Sequence, residues 1–443
     1  MNTSITPLDL EDFEKDLEDP SLRVARRAIH ENGIVASCIN DTKIAENPNV
    51  FSIEVDAGEI TNQRHSGRCW MFAGLNVIRT ILFEKFGVKN IELSQAYLQF
   101  YDKLEKANFF LEKNLERLDK PLDDREVCFL LDSAIEDGGH WTMFVNLVHK
   151  YGVIPSSLME DGAVSQDTTD LNRYLHFILA SDLKILRQNK DLGMEKLREM
   201  KEKMLGEIHR ILIASIGVPP KSFVFEYTDK DNHFKRLPAC TPQEFFSTYI
   251  QEDLDDYVCL CHAPVQDYKP YVKYGCNLVN NVVEGAEVSF FNVKLEEFKA
   301  ALIAALKDKK PVWFAAEVCQ ESLRKKGYLV KDIFCPDDLF QTHPQLSKGE
   351  KLDYRTACVS HAMTFVGVNL DENEKPNRYK VENTWGTENG KKGFYIMDAA
   401  WFDEYVYEIY VPSKYVDPEL VEKYRKAETI EVPPFNTFWA QLD

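Results

Sequence analysis

Asn62-Gln63-Arg64-His65-Ser66-Gly67-Arg68-Cys69-Trp70-Met71-Phe72-Ala73-Gly74-Leu75-Asn76 is the stretch whose reading decides how the rest of this chain is understood. From Trp70 onward the apolar positions Trp70, Ala73, Val77, Ile78, Ile81 and Leu82 recur at the three-and-four spacing of a helix packed on at least one face. Cys69 therefore falls in the first turn. A helix N-terminus presents unpaired N–H groups and the positive end of the backbone dipole, which favour thiolate over thiol. Ser66-Gly67 supplies a tight turn into the helix. Gln63, six residues upstream, can bring its side-chain NH2 beside the backbone N–H of Cys69, and two donors aimed at one point make an oxyanion hole. A lone helical cysteine is more commonly a packing residue. The flanking residues and a second constellation downstream outweigh that reading.

The second constellation lies near the C-terminal end. Ser360-His361-Ala-Met-Thr-Phe-Val-Gly-Val-Asn-Leu370 and Arg378-Tyr-Lys-Val-Glu-Asn383-Thr-Trp385-Gly386 flank the polar run Asp371 to Asn377, the pattern of a hairpin with a longer loop. The midpoint of positions 361 and 383 falls at 372, inside that turn, so His361 and Asn383 are expected as near neighbours on one face of the ladder. An amide oxygen on Asn383 would then fix the imidazole tautomer and leave the other ring nitrogen facing Cys69. Trp385 would cover that bond. Between the two constellations, Asp137-Gly138-Gly139-His140-Trp141 reads as a loop between helices. It is either a glycine cap or a bare backbone edge against which an extended peptide can lie.

Several features exclude other functions. With 72 acidic against 53 basic side chains the net charge is -19, which opposes non-specific binding to nucleic acid or to anionic membranes. No apolar run reaches membrane-spanning length, and the N-terminus has neither the basic nor the apolar region of a secretory signal. The 10 cysteines follow no disulfide framework, which fits a reducing cytoplasm. Cys259-Leu-Cys261-His262, with Cys276, lacks a second paired element at zinc spacing and reads as a buried strand, so neither a metal nor a cofactor is expected. Residues 168–216 read as charged helices with solvated faces.

Taken together, Gln63 with Ser66-Gly67-Arg68-Cys69-Trp70, Asp137-Gly138-Gly139, His361-Ala362-Met363 and Val381-Glu382-Asn383-Thr384-Trp385-Gly386 resemble the motifs of papain-like cysteine peptidases, and more narrowly the bleomycin hydrolase and aminopeptidase C branch. The resemblance implies an α+β papain-like fold with a helical half, a β-rich half and a large helical insertion. It divides the chain into an N-terminal arm (1–58), a helical half with the nucleophile (59–165), a helical and mixed insertion (166–265), a β-rich half (266–430) and a tail reaching the cleft (431–443). It further implies Cys69 as nucleophile, His361 as general base and acid, Asn383 as orienting residue and Gln63 as oxyanion donor. Gly138, Gly139 and the terminal Asp443 would bind substrate, and Trp385 would support the site from behind. The expected protein is a cytoplasmic cysteine peptidase that removes N-terminal residues from short peptides as a homohexamer. Two alternatives stay open: an oligopeptide endopeptidase of the same family, and an inactive papain-like oligomeric binding scaffold. Ser360 stands where small papain-type enzymes often carry Asp. The ending Phe435-Asn-Thr-Phe-Trp439-Ala-Gln-Leu442-Asp443 is bulkier and more acidic than the small-residue ending associated with aminopeptidase C.

Overall fold

The helix expected to start at Cys69 runs Cys69–Phe86 in the computed structural model, which describes residues 3–436. It stops where Gly87 turns left-handed, φ 61°, and caps the carbonyls of Phe83 and Glu84. Its residues from Trp70 to Arg79 are all buried, so the helix is wedged inside the molecule rather than packed on a single face. On one side lies a helical layer. Gln95–Leu115 begins at Ser94, whose hydroxyl accepts the Tyr97 N–H at 3.1 Å, and Trp141–Tyr151 ends at Gly152. The charged helices Thr169–Gln188 and Met194–Ser215 pack on Gln95–Leu115.

On the other side is a sheet of twelve strands among the described residues. Its centre runs Tyr257–Cys261, Val406–Pro412, Val312–Ala316, His361–Leu370, Pro376–Glu382 and Phe394–Asp398 in spatial order, with all neighbouring pairs antiparallel. All five residues of Tyr257–Cys261 are buried, which places Cys259 and Cys261 in a core strand. The helix Leu295–Lys307 covers the far face, where Phe298 and Leu302 pack with Phe314 and Phe365. The fold is thus α+β, with the Cys69 helix at the seam. Three contacts fasten that seam. The Trp313 indole donates to the Trp70 carbonyl at 3.0 Å, the Thr364 hydroxyl to the Ala73 carbonyl at 3.4 Å, and Arg79 pairs with Glu382 at 2.8 Å.

In the arm, Pro7–Phe13 and Pro20–Ser37 are helices that leave Leu8, Leu10, Phe13, Val24, Ile34 and Val35 exposed. Among the described residues no helix is long and apolar enough to cross a membrane.

Candidate active site

Cys69 takes its place from the turn before it. Arg68 is buried; its guanidinium donates to both Asp161 carboxylate oxygens at 3.0 and 2.7 Å, to Gln99 and to the Ser165 carbonyl. Gly67 donates its N–H to Asp137 Oδ2 at 3.0 Å, and a Cβ on Gly67 would lie 2.8 Å from that of Asp137. Only glycine admits so close an approach. Asp137 also accepts from Lys103 at 2.7 Å, from Asn172 at 3.0 Å and from the Thr168 hydroxyl, while its carbonyl receives the Trp70 indole at 2.8 Å. Burial raises the Asp137 carboxyl, but Lys103 and these donors outweigh it and hold the group well below the usual carboxylate range. The sequence reading passed over Asp137, stopping at the two glycines beside it. A buried anion here fixes both the turn into the nucleophile helix and the start of the glycine loop.

The sheet brings the other residues. The Ala362 N–H donates to Cys69 Sγ at 3.4 Å, which sets the thiol against the beginning of the His361–Leu370 strand. His361 Nε2 lies 2.9 Å from Asn383 Oδ1, and that same oxygen accepts the Thr384 backbone N–H at 2.7 Å. A backbone N–H can only donate, so the atom facing His361 is the amide oxygen and the Nε2 nitrogen carries the proton. Nδ1 is left as the basic nitrogen. Trp385 stacks on the imidazole with centroids 4.6 Å apart. Thr384 continues the chain of contacts: its hydroxyl donates to Gln63 Oε1 at 2.6 Å and its carbonyl accepts the Gln63 N–H at 2.8 Å. Gln63 Nε2 in turn donates to the Ser66 carbonyl at 2.6 Å. That uses one of its two hydrogens and ties the segment before Cys69 to the segment holding Asn383.

Burial disfavours a lone charge on either reacting group. It lifts the Cys69 thiol, with the N–H groups of Ala362, Trp70 and Cys69 itself pulling back toward thiolate. It also pushes His361 down to about 4, against the bond to Asn383. The helix N-terminus acts with the expected sign, and desolvation exceeds it. Moving one proton from sulfur to imidazole creates both charges together, and their mutual attraction offsets what each would cost alone.

Gly138 and Gly139 border a cavity of about 660 Å³ shared with Lys106, Phe109, His140 and Phe435. A Cβ on Gly139 would meet the Trp70 ring at 2.5 Å, so the loop lies flat on the residue that follows the nucleophile. The Gly138 carbonyl accepts from Lys106 at 2.6 Å, so it is not the free acceptor that a bare edge would offer. Pro434 and Phe435 form part of the cavity wall, and Phe435 stacks under Arg125 with the guanidinium carbon 3.5 Å from its centroid. Asp443 lies outside the described residues.

The profile of the peptidase C1-like family matches residues 4–438. The chain is 40% identical over 442 residues to aminopeptidase C of Listeria innocua, covering 98% of each chain. It is 39% identical to aminopeptidase G of Lactobacillus delbrueckii subsp. lactis, covering 99% of this chain and all of that one. The crystal structure of PepW from Lactobacillus rhamnosis HN001 superposes with a TM-score of 0.96 at 38% identity, covering 99% of this chain and 100% of the other.

Proposed function

The chain belongs to the peptidase C1-like family, and on that premise we infer that it hydrolyses short peptides from their N-termini through a thioester on Cys69. It is a cysteine-type aminopeptidase with a papain-like α+β fold, in keeping with relatives named aminopeptidase C and aminopeptidase G. The observation that carries the mechanism is the bond from His361 Nε2 to Asn383 Oδ1, which leaves Nδ1 to take the proton of Cys69. The thiolate adds to the scissile carbonyl. The Cys69 N–H and the second Nε2 hydrogen of Gln63 receive the developing oxyanion. The imidazolium then protonates the leaving amine, and afterwards His361 activates the water that releases the acyl group.

Removal of single N-terminal residues needs something that closes the acyl side of the cleft. Pro434 and Phe435 already stand in the wall of the cavity beside Gly138 and Gly139, which supports a role for the following residues, ending at Asp443, in meeting the substrate's free amine. Full-length protein is expected to cleave a free-amine peptide and to spare its N-acetylated form. A version lacking the last four residues should gain internal cleavage of the blocked peptide. Equal cleavage of blocked peptides by both versions would instead establish an endopeptidase.

The exposed apolar residues of the N-terminal arm support association with further copies of the chain, and the proposed assembly is a homohexamer. Sedimentation of the full chain should give about six times the 51.2 kDa protomer mass; a monomeric boundary sinks this assembly. Ten unpaired cysteines fit the reducing cytoplasm.

A further inference from the structure

We propose that the leaving-group side of the cleft selects for carboxylates, through a cluster of cations built by two loops next to Trp385. This inference rests on the peptidase reading above. The imidazolium must hand its proton to the leaving amine, so the substrate beyond the scissile bond runs past His361 and over whatever covers that ring. The cover is Trp385. Arg324 lies against it, with the guanidinium carbon 5.1 Å from the Trp385 centroid. Its charge also reaches His361, where it adds to burial in disfavouring the imidazolium.

Arg324 does not stand alone. It begins the Arg324-Lys325-Lys326 tip between the strands Ser322–Leu323 and Tyr328–Leu329, and all three side chains are exposed. That tip is bonded to the loop following Trp385. The Gly390 N–H donates to the Lys325 carbonyl at 3.2 Å, and the Ile396 N–H donates to the Gly327 carbonyl at 2.9 Å. The second loop brings Lys391, whose Nζ sits 5.0 Å from the Tyr328 centroid, and the exposed Lys392. Five cations thus meet at one edge of the cleft in a chain of net charge -19. None of the five forms an ion pair with a described carboxylate. The acids of the adjoining segment are engaged elsewhere: Glu317 accepts from the Cys319 and Cys358 N–H groups, and Glu321 from the Asp332 N–H and the Tyr405 hydroxyl. Glu388 is the one acid within the second loop itself, and it leaves the cluster strongly positive. A group of like charges held together without counter-ions raises the local concentration of anions and lowers the cost of seating one.

The matching chemistry is a carboxylate one or two residues past the scissile bond, supplied by an Asp or Glu side chain or by the C-terminus of a short peptide. To test it, kcat/KM would be measured for aminoacyl tripeptide amides carrying Asp, Gly or Lys after the scissile bond. The free acid of the Gly peptide separates the two carboxylate sources, and an aminoacyl arylamide, which has no chain there, serves as internal reference. The order should be Asp above Gly above Lys, with about two- to fivefold between neighbours, as expected for exposed charge pairs. Raising salt to about 0.5 M should flatten the series. In a Lys325→Gln/Lys326→Gln/Lys392→Gln variant the Asp-to-arylamide ratio should fall toward that of Gly, and Arg324→Gln should act the same way. A flat series in the unaltered protein, or an Asp preference that survives salt, overturns the proposal. So does an Asp preference that survives both sets of substitutions. If the arylamide itself is not turned over, the peptidase reading fails and this one falls with it.

Discussion

Cys69→Ala is expected to lower kcat by roughly 10⁴- to 10⁶-fold while leaving the fold intact. No other group at this position can form the thioester, so what remains is binding and oxyanion stabilisation without a nucleophile. The fold should tolerate the change because alanine keeps the helix backbone and the hydrogen bond that Sγ accepts from Ala362 is long, 3.4 Å. Its loss should cost within about 1 kcal/mol. His361→Ala should be nearly as severe, since the proton then has no acceptor. Asn383→Ala is different in kind. It removes the oxygen that holds the proton on Nε2, so the imidazole divides its time between tautomers and orientations, and the loss should be about 10- to 100-fold. Single-turnover kinetics would show the ranking directly. Near-normal turnover by Cys69→Ala would overturn the whole assignment, and an Asn383→Ala loss as deep as that of His361→Ala would show that Asn383 does more than orient the ring.

The parts of this site that were legible in the sequence are those whose geometry is local. Helix periodicity marked the start of the nucleophile helix at Cys69, and the run from Ser360 to Leu370 announced one arm of a hairpin. The hairpin was legible except in register. The expected pairing sets position 361 opposite 383, whereas the ladder pairs Thr364 with Glu382 and then slips by one residue between Phe365 and Gly367. Beyond the end of that ladder Trp385 bridges Asn62, and its indole rather than the Asn383 amide lies flat on the imidazole. Asn383 reaches the ring diagonally, on the same face as expected. What the sequence hid are contacts made across large separations. Asp137 meets Lys103, Gly67 and Asn172 only after three helices have packed, and Arg324 meets Trp385 only when a sheet-edge hairpin folds back. Neither pairing leaves a period or a spacing in the chain.

Arg79→Met should be the most destabilising single change at the seam, by about 3–5 kcal/mol, because it strands a buried carboxylate. Arg79 and Glu382 are each 1% exposed. A single nitrogen, Nη2, serves Glu382 Oε1 at 2.8 Å and the Ala57 and Glu59 carbonyls at 2.8 and 2.7 Å. Glu382 Oε2 has no hydrogen-bond partner among the described atoms, so nothing else compensates the charge. Burial already lifts the Glu382 carboxyl to about 7 against the pull of Arg79. A carboxyl raised in the folded state favours folding most strongly below its unfolded value of 4.5, and that contribution is lost as the pH rises through about 7. Without Arg79 the carboxyl moves higher still. The stability deficit of Arg79→Met should therefore grow between about pH 5 and pH 8, as the variant must either keep a proton at increasing cost or bury an unpaired charge. Denaturant unfolding at both pH values would read this, and adding Glu382→Gln, which removes the charge, should restore part of the loss at pH 8. A pH-independent deficit, or one below about 1 kcal/mol, would mean that the pair contributes packing rather than charge compensation. Because Glu382 ends its strand and Asn383 follows directly, the same ion pair that joins the two halves also sets where the orienting amide stands relative to the nucleophile helix.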